Sequence, residues 1–157
     1  MSISQLLQPN SYSLYGKFIP KENDILNNEG YLFFFTPPTT QDPVYNIRRS
    51  YYTVIGSCVL FQIQIQITTV GDGNGFMFWQ LPQEFPQSDI QPLTQIIELN
   101  IFGLSDKDKY LDIFGEMVAD KVIRLSGRLN STGIVENMIR NDLLDNAVIN
   151  IRGHYFI

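Results

Sequence analysis

Charge is what this chain has least of. Asp, Glu, Lys and Arg together make up 17% of its 157 residues, against roughly a quarter in an ordinary soluble domain. The 11 basic side chains fall short of the 16 acidic ones and leave a net charge of −5. No basic stripe is present to neutralise phosphates, which argues against nucleic acid as a partner. There is one cysteine, Cys58. An intramolecular disulfide is therefore impossible, and Cys58 reads as a small buried hydrophobe. There is one histidine, His154, far from Cys58 along the chain. General acid–base and nucleophilic catalysis need partners within hydrogen-bond reach. None is spaced to help either residue, so the expectation is a non-enzymatic protein without cofactor or metal.

Two motifs come close to known chemistry and fall short. Asp106, Asp108 and Asp112 have a spacing reminiscent of a calcium loop. The glycine at its sixth position and the glutamate at its twelfth are missing, so a charged turn is expected. The run Gly71-Asp72-Gly73-Asn74-Gly75 is not followed by Lys-Ser/Thr, as a phosphate loop would be. The first residues, MSISQLLQPNSYSLYG, lack a charged region followed by an apolar run. Nothing approaches the roughly 20 apolar residues of a membrane span. The reading is a chain made in the cytosol, with no membrane span.

What is present is alternation. From Phe61 the residues Phe61, Ile63, Ile65 and Ile67 occupy one parity, and Gln62, Gln64, Gln66 and Thr68 the other. Period two means a strand with one face in a core and one face polar. Glycine and asparagine accept positive φ cheaply, so the Gly71–Gly75 run predicts a hairpin, with Phe76 to Leu81 as the return strand. Further strands are expected over Tyr31 to Thr36, Gln95 to Leu104 and Lys121 to Leu129. Two strand halves around Gly115 and a last strand over Ala147 to Ile157 follow. Residues 41–50, with Arg48 and Arg49, read as a loop. Pro82 to Thr94 reads as a surface crossing, and Val135 to Leu144 as one or two helical turns. Short strands separated by Gly and Pro turns argue for an all-β antiparallel sandwich over residues 29–157. Residues 1–28 read as an extended N-terminal arm, with Tyr12, Leu14 and Tyr15 as anchors for docking on a partner.

Two features point to self-association. The Gln62/Gln64/Gln66 ladder can be buried without desolvating charge. The strand carrying Phe76, Met77, Phe78 and Trp79 is apolar on both faces, so one face must meet something besides the core. Gln62, Gln64, Gln66, Phe76 and Phe78 are the expected oligomer interface.

Several segments stand in a familiar order. Phe35-Thr36-Pro37-Pro38-Thr39-Thr40 comes first, then Tyr52-Thr53-Val54-Ile55-Gly56-Ser57-Cys58-Val59. The alternating strand, the Gly-rich turn and Leu81-Pro82 follow, and Ile149-Asn150-Ile151-Arg152-Gly153-His154-Tyr155 closes the series. This order resembles a module of bacteriophage fibres and of minor capsid proteins of large DNA viruses. The arm from Leu7 to Tyr15 is similar to openings of such proteins. Pro38, where Thr or Leu is usual, and the Pro82–Thr94 crossing depart from the pattern. The resemblance implies a jelly-roll-like sandwich in a virion, commonly a homotrimer, whose partners are its own copies and other capsid proteins. The alternative it leaves open is a lectin-like head that recognises host glycans.

Overall fold

The computed structural model describes residues 17–21, 30–87 and 96–157. The expected anchors Tyr12, Leu14 and Tyr15 lie outside the described residues. Ten strands follow one another among the described residues: β1 (Lys17–Lys21), β2 (Tyr31–Thr36), β3 (Val44–Ile55), β4 (Cys58–Thr69) and β5 (Asn74–Gln80) come first. Then come β6 (Ile96–Leu104), β7 (Tyr110–Ala119), β8 (Val122–Leu129), β9 (Val135–Asn137) and β10 (Leu143–Phe156). The one helical element among the described residues is a single 3-10 turn, Arg140–Asp142.

The fold is all-β and antiparallel, as the spacing of strands and turns predicts. The strands form one continuous sheet in the order β1-β3-β4-β10-β6-β7-β8-β5-β2, with β9 paired to β8. The sheet curls into a half-barrel around a single apolar core. The alternation read from β4 is exact in space: Val59, Phe61, Ile63, Ile65 and Ile67 are buried. Ile97, Leu99 and Ile101 of β6, Ile123 and Leu125 of β8, and Ala147, Ile149, Ile151 and Tyr155 of β10 join them.

Two local expectations are corrected, and a third holds in part. The Gly71–Gly75 run does not close a hairpin between β4 and β5. β4 pairs with β3 and β10, while β5 pairs with β2 and β8. The chain leaves the sheet at Gly71, a left-handed residue at φ 84°. The Gly71 carbonyl accepts from Arg140 Nε at 3.0 Å and Nη2 at 2.8 Å, and the Asp72 amide donates to the Gln41 carbonyl. These contacts tie the crossing down away from β4. The hairpin is instead β3–β4, closed by Gly56-Ser57, with Gly56 at φ 60° supplying the left-handed first loop position of a type II′ turn.

Residues 41–50 are not all loop, since β3 starts at Val44 and carries Arg48 into the interior, 2% exposed. A bulge between Tyr45 and Ile47 shifts the register, so Tyr45 and Arg48 face inward despite their unlike parity. That shift hid the strand from a period-two reading. Of the one or two helical turns expected over Val135 to Leu144, a single 3-10 turn at Arg140–Asp142 is present, and the rest of that stretch is the short β9 and the start of β10.

Side chains of β3 bridge across to β2, the last strand of the sheet, and to Gly30 just before it. The Leu32 amide of β2 donates to Tyr45 Oη of β3 at 2.7 Å, and Arg48 Nη1 donates to the Gly30 carbonyl at 2.7 Å. The Arg48 guanidinium lies over the Tyr45 ring, 4.5 Å from its centroid, and Trp79 meets that ring edge-on. From the expected arm range 1–28, β1 pairs with residues 48–52 of β3 and forms an end of the sheet. Pro20 lacks a ladder donor, and an end strand tolerates that.

Candidate functional site

Because one face of each strand is committed to the core, the outer face is where function can sit. The cross-strand register writes that face in rows over β3, β4, β10 and β6. Tyr51, Gln62, Arg152 and Glu98 stand side by side in one row. Arg49, Gln64, Asn150 and Asn100 form the next, and Ile47, Gln66, Val148 and Phe102 the one after. On the other side of the Gln62 row stand Thr53, Leu60 and His154. Gln62 and Gln64 are exposed and Gln66 is half-buried, its amide oxygen accepting from Asn46 Nδ2 at 3.1 Å.

A groove of about 480 Å³ runs over this face. Its walls include Tyr51, Leu60, Gln62, Glu98, Arg152 and His154. A second hollow of about 370 Å³ adjoins it, shares Tyr51 and Gln62, and extends to Arg49 and Gln64. His154 is exposed at the rim with its ring 5.8 Å from Phe156, out of phase with buried Tyr155.

Phe76 and Phe78 occupy a different place. Both point outward from β5 while Met77 and Trp79 go into the core. Phe78 stacks on Phe33 of β2 at 5.0 Å between centroids, and Phe76 lies 6.2 Å from Phe35. Tyr31 continues the strip beside Phe33 at 5.8 Å. Phe35 is 74% exposed and Phe76 43%. The five residues expected to share an interface are thus brought together as two patches, a polar one on β4 and an aromatic one on β5. In the sheet order β4 stands third and β5 eighth. The sequence missed the partners of each patch. Phe33 and Phe35 were legible as aromatics of β2, but their pairing with β5 is a long-range contact. Arg152 and Glu98 become neighbours of Gln62 only through the β4–β10–β6 register.

Three further polar clusters have structural work. Asp72, expected at a hairpin tip, folds the Thr39-Thr40-Gln41 loop around its carboxylate. It accepts from the amides of Thr39, Thr40 and Gln41 and from both threonine hydroxyls, at 2.5–3.1 Å. These bonds, led by the Thr40 hydroxyl, hold its carboxyl well below the usual range. In the second cluster Asp142 accepts from Tyr110 Oη at 2.8 Å, Lys109 Nζ at 2.7 Å and the Ile139 amide at 2.9 Å. Burial and then the bond to Asp142 push the Tyr110 phenol up. Burial alone would lower Lys109, but its interactions with Asp142 and Tyr110 together outweigh that and hold the ammonium charged. The third is the Arg124–Glu116 ion pair between β8 and β7. The expected turn after Leu104 is present, with the Asp108 amide donating to the Asp106 carboxylate at 3.0 Å.

Among the described residues, no group of three or more His, Cys, Asp or Glu side chains could hold a metal ion. Among them, too, no helix is long and apolar enough to cross a membrane. No family model, curated protein or solved structure matches this chain.

Proposed function

We propose that this chain is a structural component of a virus particle, of the minor capsid or fibre type, that assembles as a homotrimer and against other capsid proteins. The observation that carries the assembly part is the outward aromatic strip of Tyr31, Phe33, Phe35, Phe76 and Phe78 on β2 and β5. Apolar surface left in water costs roughly 25 cal/mol per Å². A contiguous aromatic patch on a protein of low charge is therefore a surface to be covered by another subunit. The virion part rests on the order of the sequence motifs from Phe35 to Tyr155. On this reading the curled sheet is a variant of the jelly-roll-like sandwich, nearly divided where β6 and β7 pair over only three residues. The segment ahead of β1 docks the domain in the particle.

Light scattering on the purified chain tests the assembly. The expected mass is that of three copies of the 18.0 kDa chain, falling to one copy in the Phe35→Lys/Phe76→Lys variant. Both side chains reach solvent, and circular dichroism is expected to show the variant folded. A wild-type monomer throughout the micromolar range overturns the reading.

A further inference from the structure

The polar patch has a chemistry of its own. We propose that the groove over β4 and β10 is a binding site for an uncharged oligosaccharide, held by Gln62, Gln64, Arg152 and Glu98. Its volume of about 480 Å³, with the adjoining hollow of about 370 Å³, falls in the range of roughly 300–1,000 Å³ typical of small-ligand sites. The two hollows meet at Tyr51 and Gln62, which makes the site elongated, as a chain of sugar rings requires.

The donors and acceptors fit hydroxyl groups. Each glutamine amide offers both a carbonyl acceptor and an NH2 donor, a guanidinium only donates, and an ionised carboxylate only accepts. The row Gln62–Arg152–Glu98 presents all three kinds on adjacent strands. A pair of neighbouring sugar hydroxyls, each able to donate and accept, can satisfy such a row. Leu60 adds an apolar surface beside it, suited to the C–H face of a sugar ring.

The charges select against anions. Glu98 stands in register with Arg152 and offsets its charge, and the whole chain carries −5. A sulfated or phosphorylated ligand would be repelled at long range by that net charge, although Arg49 adds one positive charge in the adjoining hollow. An uncharged hydroxylated ligand does not meet that repulsion. Strand pairing fixes the backbone beneath these side chains, while ordering the exposed Gln, Arg and Glu side chains is a cost that their bonds to the ligand must offset. The groove shares no residue with the β2–β5 aromatic strip. This site gives the glycan-recognising alternative a definite location, on the sheet face and not on loops, and it does not depend on the assembly reading.

The test is a titration of the isotope-labelled full chain, followed by amide NMR. The probes are maltotetraose, cellotetraose, chitotetraose and lacto-N-neotetraose, with sialyllactose as the charged arm. At least one neutral tetrasaccharide is expected to shift the side-chain amides of Gln62 and Gln64 and the backbone amide of Arg152, saturably. Gln62→Ala and Arg152→Ala should each weaken that binding about tenfold, the size of one or two lost hydrogen bonds. Gln62→Glu, which keeps the shape and removes the donor, should do the same. The Phe35→Lys/Phe76→Lys variant should bind as wild type does, whatever its oligomeric state. The proposal is overturned if no neutral probe moves these signals, or if only sialyllactose does. It is also overturned if the shifts fall on β2 and β5, or if oligomerisation shields the Gln62 and Gln64 amides and marks the face as a subunit contact.

Discussion

Asp72 is exposed, yet its carboxylate accepts five hydrogen bonds from Thr39, Thr40 and Gln41. Those bonds favour the ionised form, which is why its pKa is depressed. A carboxyl with a lower pKa in the fold than in the unfolded chain stabilises the fold above the unfolded value, about 4. That contribution is lost as the pH falls through the folded value. Asp72→Asn should therefore lower the melting temperature at neutral pH. The gap to wild type should narrow once the pH drops below about 4. Thermal denaturation followed at a series of pH values checks this. A gap that widens in acid would mean that the loop is held by something other than the charged carboxylate.

At the scale of elements, β7, β8 and the 3-10 turn are locked by one aromatic ring. Tyr110 of β7 lies over Gly127 of β8, close enough that a Cβ at position 127 would run into the ring. From there its hydroxyl reaches Asp142 in the turn. Glycine is required by that close approach, not by any unusual backbone angle. Gly127→Ala should destabilise the protein by about 1–3 kcal/mol in urea denaturation, as overpacking of a filled site does. Placed in a Tyr110→Ala background, the same change should cost much less, because the obstacle is gone. Equal costs in both backgrounds would show that the ring is not the constraint.

For the whole molecule, the question is what holds a curled sheet curled. Backbone pairing holds each strand to its neighbours, but β2 and β3 are not paired; Tyr45 of β3 reaches Leu32 of β2, and Arg48 reaches Gly30 just before it. Burial pushes the Tyr45 phenol well up, so it stays protonated at neutral pH while accepting the Leu32 amide. Tyr45→Phe keeps the ring against Trp79 and leaves that buried amide without its acceptor. The cost should be about 1–3 kcal/mol. Hydrogen exchange at Leu32 should accelerate more than at the central strands β4 and β10. Uniform acceleration would mean that the seam does not open separately from the rest.

Much of the fold was legible where chemistry repeats with period two. The alternation of β4, β6, β8 and β10 fixes which side chains enter the core, because a strand buried on one face admits only one phase. The Gln ladder and the outward Phe76 and Phe78 follow from that same parity. The sequence also makes the chain poor in charge, which limits its partners at any fold. Strand pairing was decided only in three dimensions. The Gly71–Gly75 run is as good a local turn as Gly56-Ser57, and nothing in it announces that Arg140 and the Gln41 backbone will hold it elsewhere. The β3 bulge broke the period that would have revealed Arg48 as an inward residue. The separation of Gln62 from Phe76, and the meeting of Gln62 with Arg152 and Glu98, depend on sheet order. Contacts between residues far apart in the chain are selected by the packing of the whole core, so no local window of sequence contains them.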